Sequence, residues 1–184
     1  MPSNPGKQKR AQKQKKKRAE RQKARSGRVA DVTQRYLAAQ QRLGAQAPKK
    51  DMTEICGYDA DAGPAEGWLT VPEEEQMERV SKYHELTTKP GQKPPNVRRH
   101  VGMHVLVEQQ LASGVPPEAT KALARLRKDG MSRHDAVHAV GFILTEHMQR
   151  AMETQQPVDE AAYARELSGL TLAKWVEMAR SILG

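Results

Sequence analysis

The sequence predicts an all-α protein, a compact helical bundle of about five or six helices behind a basic N-terminal tail. Three observations predict it. From Pro72 onward, apolar residues recur at three- and four-residue spacing. Each such run is bounded by Pro, Gly or a residue able to cap a helix. No run alternates apolar and polar residues between turn signals as a half-buried strand does.

The elements follow in chain order. Residues 1–28 carry twelve Lys/Arg against one acid, Glu20, a net of +11 where the whole chain has +9. The remaining residues therefore sum to −2, and the basic character belongs to the tail. With four hydrophobic residues (Met1, Ala11, Ala19, Ala24), this tail cannot bury enough surface to offset its ordering entropy, so it is expected to be disordered when free. It lacks Pro and Gly between Lys7 and Ser26 and is rich in helix formers, so counter-charges would let it become helical. Residues 29–50 read as a helix and linker: Val29, Val32, Tyr36, Leu37, Ala39 and Leu43 keep helical spacing, and Gly44 and Pro48 stop it. Residues 51–71 read as an acidic linker, with Gly57, Gly63, Pro64 and Gly67 breaking it. Over residues 51–79 nine acids face one base, Arg79. A solvated linker explains this; a segment that folds back on the basic tail is the sharper alternative.

Residues 72–184 are expected to form the helical domain. Pro72 and Glu73-Glu74-Glu75 suit a helix N-terminus, and the helix should end before Lys89-Pro90. Asn96 can cap a helix from Val97 to about Ala112, stopped by Gly114. Pro116-Pro117 opens the next, to about Lys128, with Gly130 as its stop. Ser132 can cap a helix from Arg133 to about Thr154, with Asp135 completing a short capping box. Asp159 and Thr171 can cap two further helices, Glu160–Leu167 and Leu172–Leu183.

Composition excludes several classes. No stretch approaches the roughly 18–20 apolar residues of a membrane span. No apolar core follows the basic N-terminal residues, so a secretory signal is not expected. The lone Cys56 permits no intramolecular disulfide and no Cys-rich zinc module, and a cytoplasmic location is expected.

The histidines carry the chemical signal. All six lie between positions 84 and 147, and four form the pairs His100/His104 and His134/His138. Residues four apart on a helix share one side, about 6 Å along the axis, so each pair can reach a single ion. Val97, His100, His104, Val107 and Leu111 share a face, with Glu108 at its edge. His134, His138, Gly141, Thr145 and Met148 share another, where Gly141 would let a neighbouring helix approach closely. His147 points to the far side, and His84 reads as a surface residue, with an extra ligand as the alternative. His100, His104, Glu108, His134 and His138 are thus the candidate ligands of a divalent ion: zinc, iron, manganese or nickel. A carboxylate ligand would favour iron or manganese. The spacing differs from His-Glu-x-x-His, since Val101-Gly102-Met103 and Asp135-Ala136-Val137 fill the pairs. The alternative is that these are buried packing histidines. Each ring would then need hydrogen-bond partners, and the stripes offer few beyond Thr145, Glu108 and one another.

The stretch His100-Val-Gly-Met-His104-Val-Leu-Val-Glu108, then Pro116-Pro117, Leu123-Ala-Arg-Leu126 and Arg133-His134-Asp-Ala-Val-His138-Ala-Val-Gly141, is similar to a family of small bacterial helical proteins classed as a domain of unknown function. The similarity covers about residues 95–150. It implies a helical fold and a bacterial source, and supplies no activity.

The tail cations Lys7, Lys9, Arg10, Lys13, Lys15, Lys16, Lys17, Arg18, Arg21, Lys23, Arg25 and Arg28 can contact phosphates. The tail has no aromatic residue for stacking, so binding should be blind to sequence, with RNA or a ribonucleoprotein the first expected partner and DNA the second. It also lacks the Trp, Phe or Leu of an interfacial membrane helix. Three functional readings follow. The first is a non-enzymatic accessory protein with a metal site and an RNA-binding tail. The second is a metal-dependent hydrolase built on the paired histidines and Glu108. The third is a helical interaction module with structural histidines.

Overall fold

The computed structural model describes residues 5–44, 51–89 and 94–183. It is all-α apart from one two-residue hairpin. Helix α1 runs from Pro5 to Gly44, α2 from Met52 to Cys56, α3 from Glu73 to Thr87 and α4 from Val97 to Ser113. Helices α5 (Pro117–Lys128), α6 (Arg133–Thr154), α7 (Glu160–Ser168) and α8 (Leu172–Leu183) complete the bundle. Between α2 and α3 lie strands β1 (Tyr58–Asp59) and β2 (Gly63–Pro64), which pair antiparallel, and a 3-10 turn at Trp68–Thr70. Among the described residues no helix is long and apolar enough to cross a membrane.

The capping residues explain where the helices of residues 72–183 begin. Asn96 accepts from the Arg99 N–H at 2.9 Å and Asp159 from the Ala162 N–H at 2.8 Å. Ser132 accepts from the Asp135 N–H at 3.0 Å and donates to its carboxylate at 2.6 Å, the shortened capping box the sequence suggests. Gly114, at φ 70°, takes the left-handed turn that ends α4.

Two stretches differ from expectation. No break separates the basic tail from the amphipathic segment after it; α1 is one helix of 40 residues. Among the described residues, its distal part packs on the body through Val32, Tyr36 and Leu37. The expected stop at Pro48 and the boundary at Pro90 lie outside the described residues.

The acidic stretch, expected as a solvated linker, is folded. Its acids terminate turns as well as face solvent. Asp51 caps α2 through the Thr53 N–H at 2.9 Å. Asp59 accepts from the N–H groups of Met52, Asp61 and Ala62. With those backbone donors satisfied, Tyr58, Ala60 and Trp68 become fully buried. Cys56 is half-buried at the end of α2.

Two apolar clusters result. The larger lies among α4, α5, α6, α7 and α8, with Val107, Leu126, Val140, Ile143 and Leu167 at its centre. The smaller joins Met52, Tyr58, Trp68, Val80 and Tyr83 to Val101 and Val105 of α4. Helix α4 thus presents one face to each cluster. Its histidines lie where α3, α4 and α6 converge.

Candidate metal centre

Each of these three helices delivers histidines by its own periodicity. On α3 the buried residues are Gln76, Val80, Tyr83 and His84, at i, i+4, i+7 and i+8. On α4, His100 and His104 stand one turn apart; on α6, His134 and His138 do the same. The α4–α6 approach is close because Met103 lies where a side chain at residue 141 would begin. A Cβ on Gly141 would stand 1.9 Å from Met103 Sδ and 2.6 Å from its Cγ.

The five rings gather in one place. Ligating nitrogens of His84, His100, His104 and His134 all fall within 4.8 Å of one another. His138 joins them, with its Nε2 at 2.9 Å from His104 Nε2 and its ring centroid 4.4 Å from that of His134. His84 is a correction to the sequence reading. It is 7% exposed, not a surface residue, and its centroid lies 4.5 Å from His100 and 4.8 Å from His104. The signal for it was present: position 84 belongs to the 76/80/83/84 stripe. Its Nε2 is buried without a hydrogen-bond partner.

Glu108, expected among the ligands, is engaged elsewhere. It is fully buried, and both its oxygens face the Arg133 guanidinium at 2.7 and 2.6 Å, a bidentate pair. Its Oε1 also accepts from Tyr58 Oη at 3.2 Å, and Tyr58 Oη lies 2.9 Å from His104 Nδ1. Proton counting fixes the direction of this chain. The carboxylate can only accept, so the single phenolic proton of Tyr58 goes to Glu108. His104 must then donate its Nδ1 proton to the Tyr58 oxygen, which leaves Nε2 unprotonated and accepting from His138 Nε2–H at 2.9 Å. Burial, and next the Glu108 charge, raise the Tyr58 phenol well above its ordinary value, so it keeps that proton. Tyr58 and Arg133 were not legible as site residues: one lies in an aperiodic acidic stretch, the other at the first position of a helix.

The electrostatics favour neutral rings. Burial, and then its neighbours His100 and His134, push His84 down to about 3. Burial and His134 push His100 down to about 4. His104 and His138 lie well below the ordinary histidine value for the same reasons, burial first. At neutral pH these four rings are uncharged, the form in which imidazole binds a metal. An aromatic wall closes one side: Tyr83 meets His84 edge-on at 5.2 Å and Tyr58 at 5.3 Å. On the far side of α6, His147 is buried and pairs with Glu166 at 3.1 Å, apart from the cluster.

The donor set suits a transition-metal ion. Among the described residues it offers imidazole nitrogens without a thiolate, and the Glu108 carboxylate is held by Arg133. The Arg133–Glu108–Tyr58–His104 chain is the outer support that metal-binding histidines characteristically have. Of the basic-tail residues, Arg10, Lys13, Lys15, Lys16, Lys17, Arg18, Arg21 and Lys23 stand exposed along α1. The side chains of Lys7, Lys9, Arg25 and Arg28 lie outside the described residues.

Comparison with curated proteins gives no match. Comparison with solved structures gives none either. A family model for a domain of unknown function, DUF1841, matches residues 68–169. That span takes in all five clustered histidines together with Glu108 and Arg133, while Tyr58 precedes it. The match covers more than half of the chain, which therefore belongs to the DUF1841 family.

Proposed function

We propose that the protein is a metal-binding accessory protein that holds one divalent transition-metal ion through His84, His100, His104, His134 and His138. The observation that carries this reading is the convergence of ring nitrogens from three helices, four of them within 4.8 Å. Burying uncharged imidazoles without partners costs free energy, and His84 Nε2 is left without one. An ion held at about 2.0–2.1 Å from each nitrogen would satisfy them together. Because Glu108 is spent on Arg133, the all-imidazole set favours zinc or ferrous iron over manganese. Glu108 acts through Tyr58, orienting His104 and not binding the ion. Elemental analysis of protein purified without a nickel column, with melting curves before and after chelation, tests the reading. About one equivalent of zinc or iron and a lowered Tm on chelation are expected. Metal-free protein whose Tm does not respond to added zinc or ferrous ion would overturn it.

The basic helix supports a second component, a polyanion partner, with RNA first. Eight cations stand exposed on this helix, and among the described residues its apolar contacts with the body come from Val32, Tyr36 and Leu37, beyond those cations. At 1.5 Å per residue, 40 residues make a rod about 60 Å long. Lys15, Lys16, Lys17 and Arg18 point around its whole circumference, which suits contact with phosphates rather than reading of one groove. Filter binding of RNA with and without residues 1–28 tests it. Deletion should abolish binding, and the intact protein should lose affinity with salt at a log–log slope of about −0.7 to −0.9 per phosphate contact. Equal affinity of the two forms would remove the tail from the account.

A further inference from the structure

Among the described residues, one face of the histidine cluster opens on a cavity. A cavity of about 460 Å3 reaches His100 and His138 from outside, between the N-terminal end of α4 and the middle of α6. Its walls are largely apolar: Pro94, Met103, Phe142 and Trp175, the last two in edge contact at 6.2 Å between centroids. Arg99 and Glu146 bring one charge of each sign to the lining, both exposed. The volume falls in the range of small-molecule sites, about 300–1,000 Å3. A structural ion needs no such access; an ion that binds a further ligand does.

Charge decides the kind of ligand. Neutral imidazoles bring no negative charge to a dication, and the Glu108 carboxylate behind Tyr58 is matched by Arg133, while Asp61 accepts from the His134 backbone N–H and Asp59 from the N–H groups of Met52, Asp61 and Ala62. A divalent ion held by these rings would have no anion among its own ligands, which favours an anionic partner. Inorganic anions would use the metal but not the apolar walls. An anion carrying a hydrophobic body would use both.

We propose that the ion held by the histidine cluster takes a small organic carboxylate as a further ligand, its charged end on the ion beside His100 and His138 and its body against Met103, Phe142 and Trp175. This rests on the metal reading above. Met103 and Thr145 line the cavity next to the ligating residues without supplying a nitrogen, so they set its width. Thr145 already donates its hydroxyl proton to the Gly141 carbonyl at 2.8 Å, which leaves it as a spacer rather than an anion donor.

The test uses the full chain loaded with Co²⁺, whose visible absorption reports its ligands, titrated with benzoate and with its neutral analogue benzyl alcohol. Benzoate should shift the bands saturably and benzyl alcohol should not. Thr145→Phe, which fills the cavity, should bind Co²⁺ as tightly as the parent and weaken benzoate at least tenfold. Relaxation of the benzoate ring protons, compared between the Co²⁺ and Zn²⁺ forms of the parent protein, gives the same answer without a variant. Enhanced relaxation in the Co²⁺ form is expected. Unchanged bands and unchanged relaxation with benzoate would overturn the proposal while leaving the metal reading intact. So would equal effects of benzoate and benzyl alcohol, or a folded Thr145→Phe protein that binds benzoate as the parent does. Failure to take up Co²⁺ at all would overturn the metal reading, and this proposal with it.

Discussion

At the scale of single residues, the centre depends on how one proton is directed. Tyr58 sits between a carboxylate that can only accept and a histidine nitrogen, so it enforces the His104 tautomer whose Nε2 carries no proton. Tyr58→Phe keeps the ring and its packing against Trp68 and Tyr83 but removes that constraint. Loss of such outer support typically costs about 10–100-fold in metal affinity. Competition titration against a chromophoric chelator should therefore show weakened binding of that order, with helicity retained. Unchanged affinity would mean that the Arg133–Glu108–Tyr58 chain only packs. The same chain shows why Glu108 misleads when read from sequence. Its spacing from His104 puts it on a plausible ligand edge, but spacing along one helix cannot reveal that Arg133 of α6 claims both oxygens first.

At the scale of elements, the distance between α4 and α6 is set by a missing side chain. Met103 occupies the position a Cβ would take on Gly141, so Gly141→Ala must displace the Met103 stem, not only its flexible tip. Overpacking of this kind costs about 1–3 kcal/mol, and chemical denaturation should register a loss of that size. Metal affinity should fall with it, because the two helices that would part carry four of the five rings. Met103→Ala in the same background should recover the histidine geometry, and failure to recover it would place the strain elsewhere. Elements of this kind were legible because they are local. Asn96, Ser132 and Asp159 mark helix starts through side-chain bonds spanning three residues, and the structure makes each of those bonds. The i,i+4 histidine pairs were legible for the same reason. The folded acidic stretch was not: Tyr58 and Trp68 become core residues through partners far along the chain, Val80, Tyr83, Val101 and Val105. His84 lies between these cases, since its helical stripe was visible but its destination was not.

At the scale of the whole molecule, packing several imidazoles together links stability to proton concentration. In the unfolded chain a histidine titrates near about 6.5. In the folded, metal-free protein burial holds His84 at about 3 and His100 at about 4, with His104 and His138 also well below the ordinary value. Below pH 6.5 the unfolded chain therefore binds more protons than the folded one, and stability falls as pH falls. Well above pH 6.5, near pH 8, both states hold neutral rings, and these groups contribute almost no slope. Each proton taken up on unfolding adds about 1.4 kcal/mol per pH unit, so several histidines titrating together give a steep decline. Most carboxylates remain ionised between pH 6.5 and 5, so this window isolates the histidines. Denaturant midpoints of chelator-treated protein should be nearly flat around pH 8, begin to fall towards pH 7 and drop sharply from 6.5 to 5. A bound ion holds the rings deprotonated, so metal-loaded protein should resist acid further, until the ion is released and the two curves merge. His100→Gln should flatten the metal-free curve between pH 6.5 and 5, because one of the protonating groups is gone. A wild-type midpoint that stays constant across that window would show that the rings are reached by protons without unfolding, and that the cluster is more open to solvent than its burial implies.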